Sequence, residues 1–281
     1  MIIVRFAEIG LKGKNRSFFE NALIKNIKAC LDAHKIKYSG IEKPMGRILI
    51  KTNDPCVCLN TVFGIASFSE AVNAGFNMES AKKEVLPLIK NLSPDKSFRV
   101  TCQRLDKRFP LTSRDFDVEL GAFVQENTKA KVKMKGFDVN IHAEITNNFI
   151  YLFTEKIPGL GGLPVGVEGS TLVLLEDDAS LLAGLLMMKR GCRIIPVAFK
   201  TMNTDLLISY AYGTKVELNI IKTISDIDLL AKKNKSKAIV VGDLLETLKE
   251  YDIKTQVLRP LAAHTTKDIE EELNGFRQRV C

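Results

Sequence analysis

The stretch GLGGLPVG at residues 159–166 decides how the chain is divided. Four of its eight residues are glycine and one is proline, which is typical of a shaped connector and not of a helix or a strand. A chain of 281 residues also exceeds the size at which a single core usually stops growing. We therefore predict a boundary at residue 166, with a C-terminal domain over residues 167–281.

After the connector, short apolar segments alternate with helical ones. Strands are predicted over residues 171–175, 193–199, 216–220, 238–241 and 255–258, and helices over 179–190, 205–212, 226–233 and 244–251. Buried strands separated by helices are typical of a parallel sheet that is covered on both faces. The C-terminal domain is therefore expected to be a doubly wound α/β domain.

Before the connector, the pattern predicts two further domains. Residues 1–72 follow the order strand, helix, strand, strand, helix, strand, with strands at 2–6, 47–51 and 66–72, a helical stripe over 17–34 and a short helix ending at 60–63. That order is typical of a ferredoxin-like α+β domain. Residues 73–166 predict a second α/β domain, with helices over 80–92 and 113–127, a strand over 97–102, and strands 138–145 and 149–154 that meet at Asn147 and Asn148 in a hairpin.

Composition and charge exclude several classes of protein. Hydrophobic residues make up 46% of the chain and charged residues 26%, as in folded globular proteins. No apolar run approaches the roughly 18 residues of a membrane span, and the MIIVR start lacks a signal-peptide pattern. We therefore expect a cytoplasmic protein with reduced thiols. The net charge is +8, and residues 1–72 hold 11 basic and 6 acidic residues, which favours a polyanionic partner.

Three basic segments are candidate sites for RNA. The first places Arg104, Lys107, Arg108 and Arg114 around Phe109, just before a predicted helix. Cationic side chains and helix amides bind phosphate, and an exposed aromatic ring stacks on an unpaired base. The alternative is a solvated loop in which Phe109 packs into the core.

The other two basic segments are equally open to a structural interpretation. Lys131 and Lys133 belong to a run of alternating lysines, which suits either a phosphate track or a sheet edge protected against aggregation. Lys12, Lys14 and Arg16 lie in a glycine-containing loop before the first helix, which suits either a phosphate site or an ordinary turn.

The turn after the first C-terminal strand is acidic. Ligands of α/β domains bind beyond the carboxyl ends of the strands, and loops that hold phosphate need glycine there. This turn instead contains Glu176, Asp177, Asp178 and Ser180. At roughly 5 Å and an effective dielectric near 20, each carboxylate repels a phosphate charge by about 3 kcal/mol. We expect these residues to cap the next helix and not to bind a nucleotide or a hard cation.

Cysteine and histidine residues suggest no catalytic or metal site. The three histidines, His34, His142 and His264, are far apart in sequence, and none shows a ligand spacing. Cys56 and Cys58 are interpreted as packing residues, and Cys281 is given no role.

The sequence resembles the tRNA 4-thiouridine synthetase family. The motifs that carry the resemblance run in order along nearly the whole chain: EIGLKGKNR at 8–16, KRFPLTS at 107–113, GLGGLPVG at 159–166, LMMKRG at 186–191 and VLRPL at 257–261. The resemblance implies a ferredoxin-like domain, a THUMP RNA-binding domain and a Rossmann-like PP-loop domain. It also implies that the first two domains hold the acceptor end of tRNA, while the third adenylates a uridine before sulfur transfer.

The sequence departs from the family pattern in its last domain. Where the family has a Ser-Gly-Gly-x-Asp-Ser signature, this chain has EDDASLL at 176–182, and no cysteine matches the sulfur-carrying positions. We therefore expect a tRNA-binding THUMP protein involved in tRNA thiolation, with a degenerate PP-loop and no catalytic residue, metal or cofactor of its own. The alternative is an active sulfurtransferase that uses ATP and Mg²⁺ at an atypical site. A separate modification enzyme as partner and a homodimer both remain open.

Overall fold

The computed structural model describes residues 1–44 and 46–280, so the Met45 and Cys281 positions lie outside the described residues. Seven α-helices occur in that part of the chain: α1 (Arg16–Ala33), α2 (Met78–Ile89), α3 (Ser113–Thr128), α4 (Asp178–Lys189), α5 (Asp205–Ile208), α6 (Asp226–Lys233) and α7 (Thr266–Val280). None of the described helices is both long enough and apolar enough to cross a membrane.

The strands follow in chain order. They are β1 (Ile2–Arg5), β2 (Gly40–Glu42), β3 (Ile48–Lys51), β4 (Ser67–Glu70), β5 (Val72–Asn73), β6 (Ser97–Arg104), β7 (Lys131–Val132), β8 (Val139–Thr146), β9 (Phe149–Phe153), β10 (Ile157–Pro158), β11 (Ser170–Leu174), β12 (Arg193–Ala198), β13 (Asn219–Ile220), β14 (Ala238–Val240) and β15 (Gln256–Leu258).

The chain divides into two compact units. The first consists of residues 1–5, 37–55 and 67–157, and the second of residues 6–36, 56–66 and 158–281. The first unit holds an antiparallel sheet in which β1 pairs with both β3 and β4 and β3 pairs with β2. It also holds a mixed sheet in the order β5-β9-β8-β6-β7. The predicted hairpin between β8 and β9 is confirmed, with both Asn147 and Asn148 at positive φ.

Two apolar clusters stabilise the first unit. In the larger one, helices α2 and α3 contribute buried residues such as Val85 and Leu120, which pack with Phe98 and Ile141 of the mixed sheet. In the smaller one, Ile3 and Leu49 of the antiparallel sheet pack with Tyr151 and Phe153 of β9. The two sheets therefore share buried apolar surface.

A buried ionic network joins the same two sheets. Glu144 of β8 is 2% exposed and accepts hydrogen bonds from Nε of Arg5 at 2.6 Å and Nε of Arg47 at 2.5 Å. Arg47 also donates to Oε1 of Gln103 at 2.6 Å, and Arg5 donates to Oγ of Ser69 at 3.1 Å. Both sheets therefore contribute ionised side chains to one dry cluster.

The pKa values in this network reflect burial and attraction together. Burial by itself raises the pKa of Glu144, but hydrogen bonding from Arg47 and the charges of Arg5 and Arg47 outweigh it, so the pKa lies below the usual value. Burial lowers the pKa of Arg5. Nη2 of Arg5 has no hydrogen-bond partner among the described residues. Glu144 is therefore the counter-ion on which both guanidinium groups depend.

The second unit contains a wholly parallel sheet in the order β13-β12-β11-β14-β15. Residues of β11 alternate between its two faces. Val173 packs in a cluster with Leu182 of α4 and Leu273 of α7, whereas Leu172 packs with Ile227 of α6. Helices therefore cover both faces, and the predicted doubly wound architecture is confirmed.

The connector at 159–166 also belongs to the second unit. Gly162 has a φ of +72°, and a Cβ atom there would collide with the backbone carbonyl of Lys189. Only glycine fits both the backbone conformation and the close approach to the end of α4.

Two predicted helices were wrong, and one helix was missed. The predicted helix over 244–251 is only a 3₁₀ turn at Leu245–Thr247, because the chain beyond it wraps around the carboxylate of Asp243. The predicted helix over 205–212 ends at Ile208. Helix α7 was missed, although Thr265 and Asp268 cap its start and Ile269, Leu273 and Phe276 form its buried stripe.

We predict that Glu144→Gln lowers the free energy of unfolding by about 3 kcal/mol, because two buried guanidinium groups lose their counter-ion while the side-chain shape is kept. Urea denaturation measures the change. The control is Glu126→Gln at an exposed position of α3, which should shift stability by less than about 0.5 kcal/mol. Equal stability of the two variants would show that the network is energetically neutral.

Candidate functional site

The segment between β6 and α3 borders a cavity in the first unit. The cavity has a volume of about 580 Å³ and is lined by Pro44, residues 105–108, Thr146 and Asn147. The side chains of Lys107 and Arg108 are exposed at its border. These two adjacent candidate residues therefore lie at the cavity, beside the hairpin turn between β8 and β9.

Asp106 fixes the shape of this segment. Its carboxylate accepts hydrogen bonds from Nε and Nη2 of Arg108, at 2.9 and 2.6 Å, and from the backbone amide of Asn148. The Arg108 side chain, followed by the backbone amides of Arg108 and Asn148, holds the pKa of Asp106 well below its usual range. Arg108 is thus held in place but partly neutralised, whereas Lys107 forms no ion pair with any described residue and is exposed.

Phe109 is not an exposed stacking platform, and that expectation is wrong. The ring is 1% exposed and packs edge-on against Phe76 and Phe116 in the core of the first unit. Arg104 also acts inside the protein, because its Nη1 donates to the backbone carbonyls of Phe109 and Leu111, each at 3.0 Å. These two residues hold the loop in shape, and the alternative in which Phe109 packs into the core is confirmed.

The start of α3 is already capped. Oγ1 of Thr112 accepts the backbone amide of Asp115, and the Asp115 carboxylate accepts from Thr112 in return. An acidic residue therefore occupies the helix end that was expected to offer amides to a phosphate. Arg114, in the same first turn, is exposed.

Lys131 and Lys133 lie at the edge of the mixed sheet. Lys131 begins β7, which pairs with β6 alone among the described strands, and both lysine side chains are exposed. The edge position agrees with the protective role of lysine, and the exposure leaves a phosphate contact open.

Lys12, Lys14 and Arg16 belong to the second unit. Lys12 lies 3.5 Å from a carboxylate oxygen of Glu168, and its Nζ sits 4.5 Å from the ring centroid of Phe19. Arg16 pairs with Glu20 at 2.6 Å. Lys14 is exposed. Two of the three cations are therefore already paired within the protein.

The acidic turn after β11 is a helix cap, as expected. Oδ1 of Asp177 accepts the amide of Ser180 at 2.9 Å, and Oγ of Ser180 accepts the amides of Glu176 and Asp177, each at 2.9 Å. Glu176 pairs with Lys249 at 2.8 Å, and Asp178 pairs with Arg277 at 3.0 Å. Side chains of the protein thus accept three amides of this turn and pair with the carboxylates of Glu176 and Asp178.

A second network adjoins this turn and was missed in the sequence. Asp243 is 5% exposed. Its carboxylate accepts hydrogen bonds from the amide of Lys249, the hydroxyl of Tyr251 and Nε of Arg259. Burial, followed by the hydrogen bond to Asp243, raises the pKa of Tyr251 above its usual range. These hydrogen bonds hold the segment between the end of β14 and the end of β15 in place.

Gly242 brings that loop against the start of α4. A Cβ atom at Gly242 would lie 2.5 Å from the amide nitrogen of Ser180 and 2.9 Å from Cα of the same residue. The backbone at Gly242 therefore lies close to the amide of Ser180 in the first turn of α4, near the position at which α/β domains with glycine-rich loops bind phosphate.

Two segments of the chain match known domain families. Residues 1–69 match the ThiI ferredoxin-like domain, and residues 77–155 match the THUMP domain.

Similar proteins extend over most of the chain. The probable tRNA sulfurtransferase of Thermococcus kodakarensis is 32% identical over 326 residues, covering 96% of this chain and 85% of that protein. The probable tRNA sulfurtransferase of Moorella thermoacetica is 37% identical over 204 residues, covering 70% of this chain and 52% of that protein. The chain thus aligns with only about half the length of the latter.

Two solved structures share the fold. The PH1313 protein of Pyrococcus horikoshii superposes with a TM-score of 0.88 at 31% identity, over 98% of this chain and 99% of that one. A 4-thiouridine synthetase in complex with RNA and ATP superposes with a TM-score of 0.81 at 24% identity, over 98% of this chain and 84% of that one.

We predict that Asp177→Ala lowers the free energy of unfolding by about 1 kcal/mol, whereas Asp177→Asn changes it by only a few tenths, because asparagine caps a helix as well as aspartate does. Urea denaturation distinguishes the two variants. If both variants lost the same stability, and Mg²⁺ stabilised only the unaltered protein, Asp177 would be a cation ligand and not a cap.

Proposed function

This chain belongs to the tRNA sulfurtransferase family, and from that premise we propose that it holds tRNA for thiolation without adenylating the tRNA itself. The proposal that the chain does not adenylate tRNA rests on the self-capped turn after β11. The proposal that it binds tRNA rests on the exposed cations of the THUMP-matching segment.

The RNA-binding half rests on Lys107 and Arg108. They are exposed beside a cavity of about 580 Å³, on a loop that Asp106 and the core residue Phe109 hold in one conformation. A fixed loop that presents cations suits a folded RNA, which proteins recognise largely by shape and by its phosphates. Arg114, Lys131 and Lys133 add exposed positive charge within the same unit.

The absence of adenylation rests on the geometry of residues 176–180. A triphosphate needs free amides at the start of α4 and room beside them. Here the side chain of Asp177 accepts the amide of Ser180, the hydroxyl of Ser180 accepts the amides of Glu176 and Asp177, and the backbone at Gly242 lies close to Ser180. In this proposal a separate enzyme supplies the activated uridine or the sulfur.

The rival candidate is an active sulfurtransferase that binds ATP at an atypical site. The structurally similar 4-thiouridine synthetase was crystallised with both RNA and ATP, so both ligands need testing. Under the rival candidate, Mg²⁺ would have to bridge the carboxylates of Glu176, Asp177 or Asp178 to the phosphates, after their present hydrogen bonds and ion pairs had been broken.

We predict that tRNA binds at low salt and that its affinity falls steeply toward physiological salt. Each phosphate contact contributes about 0.7–0.9 to the slope of log K against log salt, so Lys107→Ala should reduce that slope by about 1. Filter-binding titrations measure both effects. Lys233→Ala, at an exposed position of α6, is the matched control and should leave the slope unchanged. The RNA-binding half fails if tRNA does not bind at any salt concentration.

We predict no saturable heat when Mg-ATP is titrated into the full chain, because the amides of Glu176, Asp177 and Ser180 are already bonded to side chains and the backbone at Gly242 lies beside Ser180. The same sample must bind tRNA, which shows that it is folded. Micromolar binding of Mg-ATP that disappears in Asp177→Ala would establish the rival candidate, even if tRNA binding were as expected.

A further inference from the structure

Two cysteines and a histidine converge within the second unit. Cys30 lies on the last turn of α1, and His34 follows that helix directly, so their spacing of four residues places them on one helix face. Cys58 lies on the 3₁₀ turn at Val57–Thr61. One ligand atom from each of the three lies within 4.8 Å of the other two, the sole such trio of histidine, cysteine or acidic residues among the described positions.

The contacts within this trio are close to those of a metal site. Sγ of Cys30 lies 4.0 Å from Nδ1 of His34 and 3.5 Å from the backbone carbonyl oxygen of Cys58. Zinc bonds of about 2.3 Å to sulfur and 2.0 Å to nitrogen place tetrahedral ligand atoms roughly 3.5 Å apart. The ligand atoms of the trio, at most 4.8 Å apart, would therefore have to approach one another by up to about 1.3 Å, a movement within the reach of side-chain rotation.

A solvent-accessible cavity adjoins the trio. It has a volume of about 420 Å³, and His34, Cys58, Asn60 and Tyr212 are among the residues that line it. Oδ1 of Asn60 is buried and has no hydrogen-bond partner within the described chain. His34 is exposed and Cys58 is partly exposed, so an ion and its water can enter from solvent.

We propose that Cys30, His34 and Cys58 bind one borderline-soft divalent cation, of which Zn²⁺ is the representative, with water as the fourth ligand. Two thiolates and one imidazole are a donor set that zinc prefers over Mg²⁺ or Ca²⁺. The unpartnered oxygen of Asn60 offers the bound water an acceptor. Nδ1 of His34 exchanges its present contact with the carbonyl of Cys30, at 2.9 Å, for the metal.

The three donor side chains come from two segments of the second unit. The ion would join the end of α1 to the turn at 57–61, two segments that are distant in sequence. The ion would thus cross-link these two segments while keeping one position for water, and the proposal does not rest on tRNA or ATP binding.

The test is a cobalt titration of the full chain, reduced and freed of metal. We expect one equivalent of Co²⁺ to give a thiolate-to-cobalt charge-transfer band, and one equivalent of Zn²⁺ to abolish that band and raise the melting temperature. Cys58→Ser should remove the band, and His34→Gln should weaken binding by at least about tenfold. Both altered positions are at least partly exposed, so these variants should fold.

Matched controls are Cys102→Ser and Cys192→Ser, which change thiols outside the trio and should keep the band. Cys30→Ser is a weaker test because Cys30 is fully buried. The proposal is overturned if the reduced chain gives no charge-transfer band. It is equally overturned if the band survives in both Cys58→Ser and His34→Gln.

Discussion

The carboxylate of Glu144 links the two sheets of the first unit. Glu144, on a strand of the mixed sheet, pairs with two arginines from the antiparallel sheet: Arg5 at the end of β1 and Arg47 just before β3. In a dry environment neither guanidinium has a second acidic partner among the described ion pairs. This pairing fixes the register of the strand that holds Glu144. A slip of one residue would move Glu144 to the other face of its sheet and leave three buried charges unpaired. Apolar packing alone would select this register less strictly.

Local signals allowed much of the fold to be predicted. Helix α6 begins and ends where its periodicity indicated, at Asp226–Lys233, and the Asn147-Asn148 hairpin turns with φ values of 54° and 60°. Both features depend on neighbours in sequence: an amphipathic stripe in the first case and a pair of residues that tolerate left-handed backbone in the second. The acidic cap at Asp177 was predictable for the same reason.

Tertiary contacts decided what the sequence could not. Phe109 stands among four cations in sequence, yet the fold turns its ring into the core beside Phe76 and Phe116. Residues 244–251 have helical periodicity, yet the buried Asp243 binds Lys249 and Tyr251 and pulls the chain into another path. Glu144 alternates with Ala143 and Ile145, and no local pattern reveals that its arginine partners lie about 100 residues or more earlier.

The glycine after β14 changes what approaches the start of α4. In a phosphate loop, the missing side chain lets an anion reach the backbone. At Gly242 it lets one stretch of the protein's own backbone reach another, at Ser180. Under the proposed function, making this edge of the sheet accept a phosphate would require two coordinated alterations, a displaced loop after β14 and a turn with free amides after β11. A single substitution in either loop would leave the other in place, so stepwise mutation should rarely produce such a site.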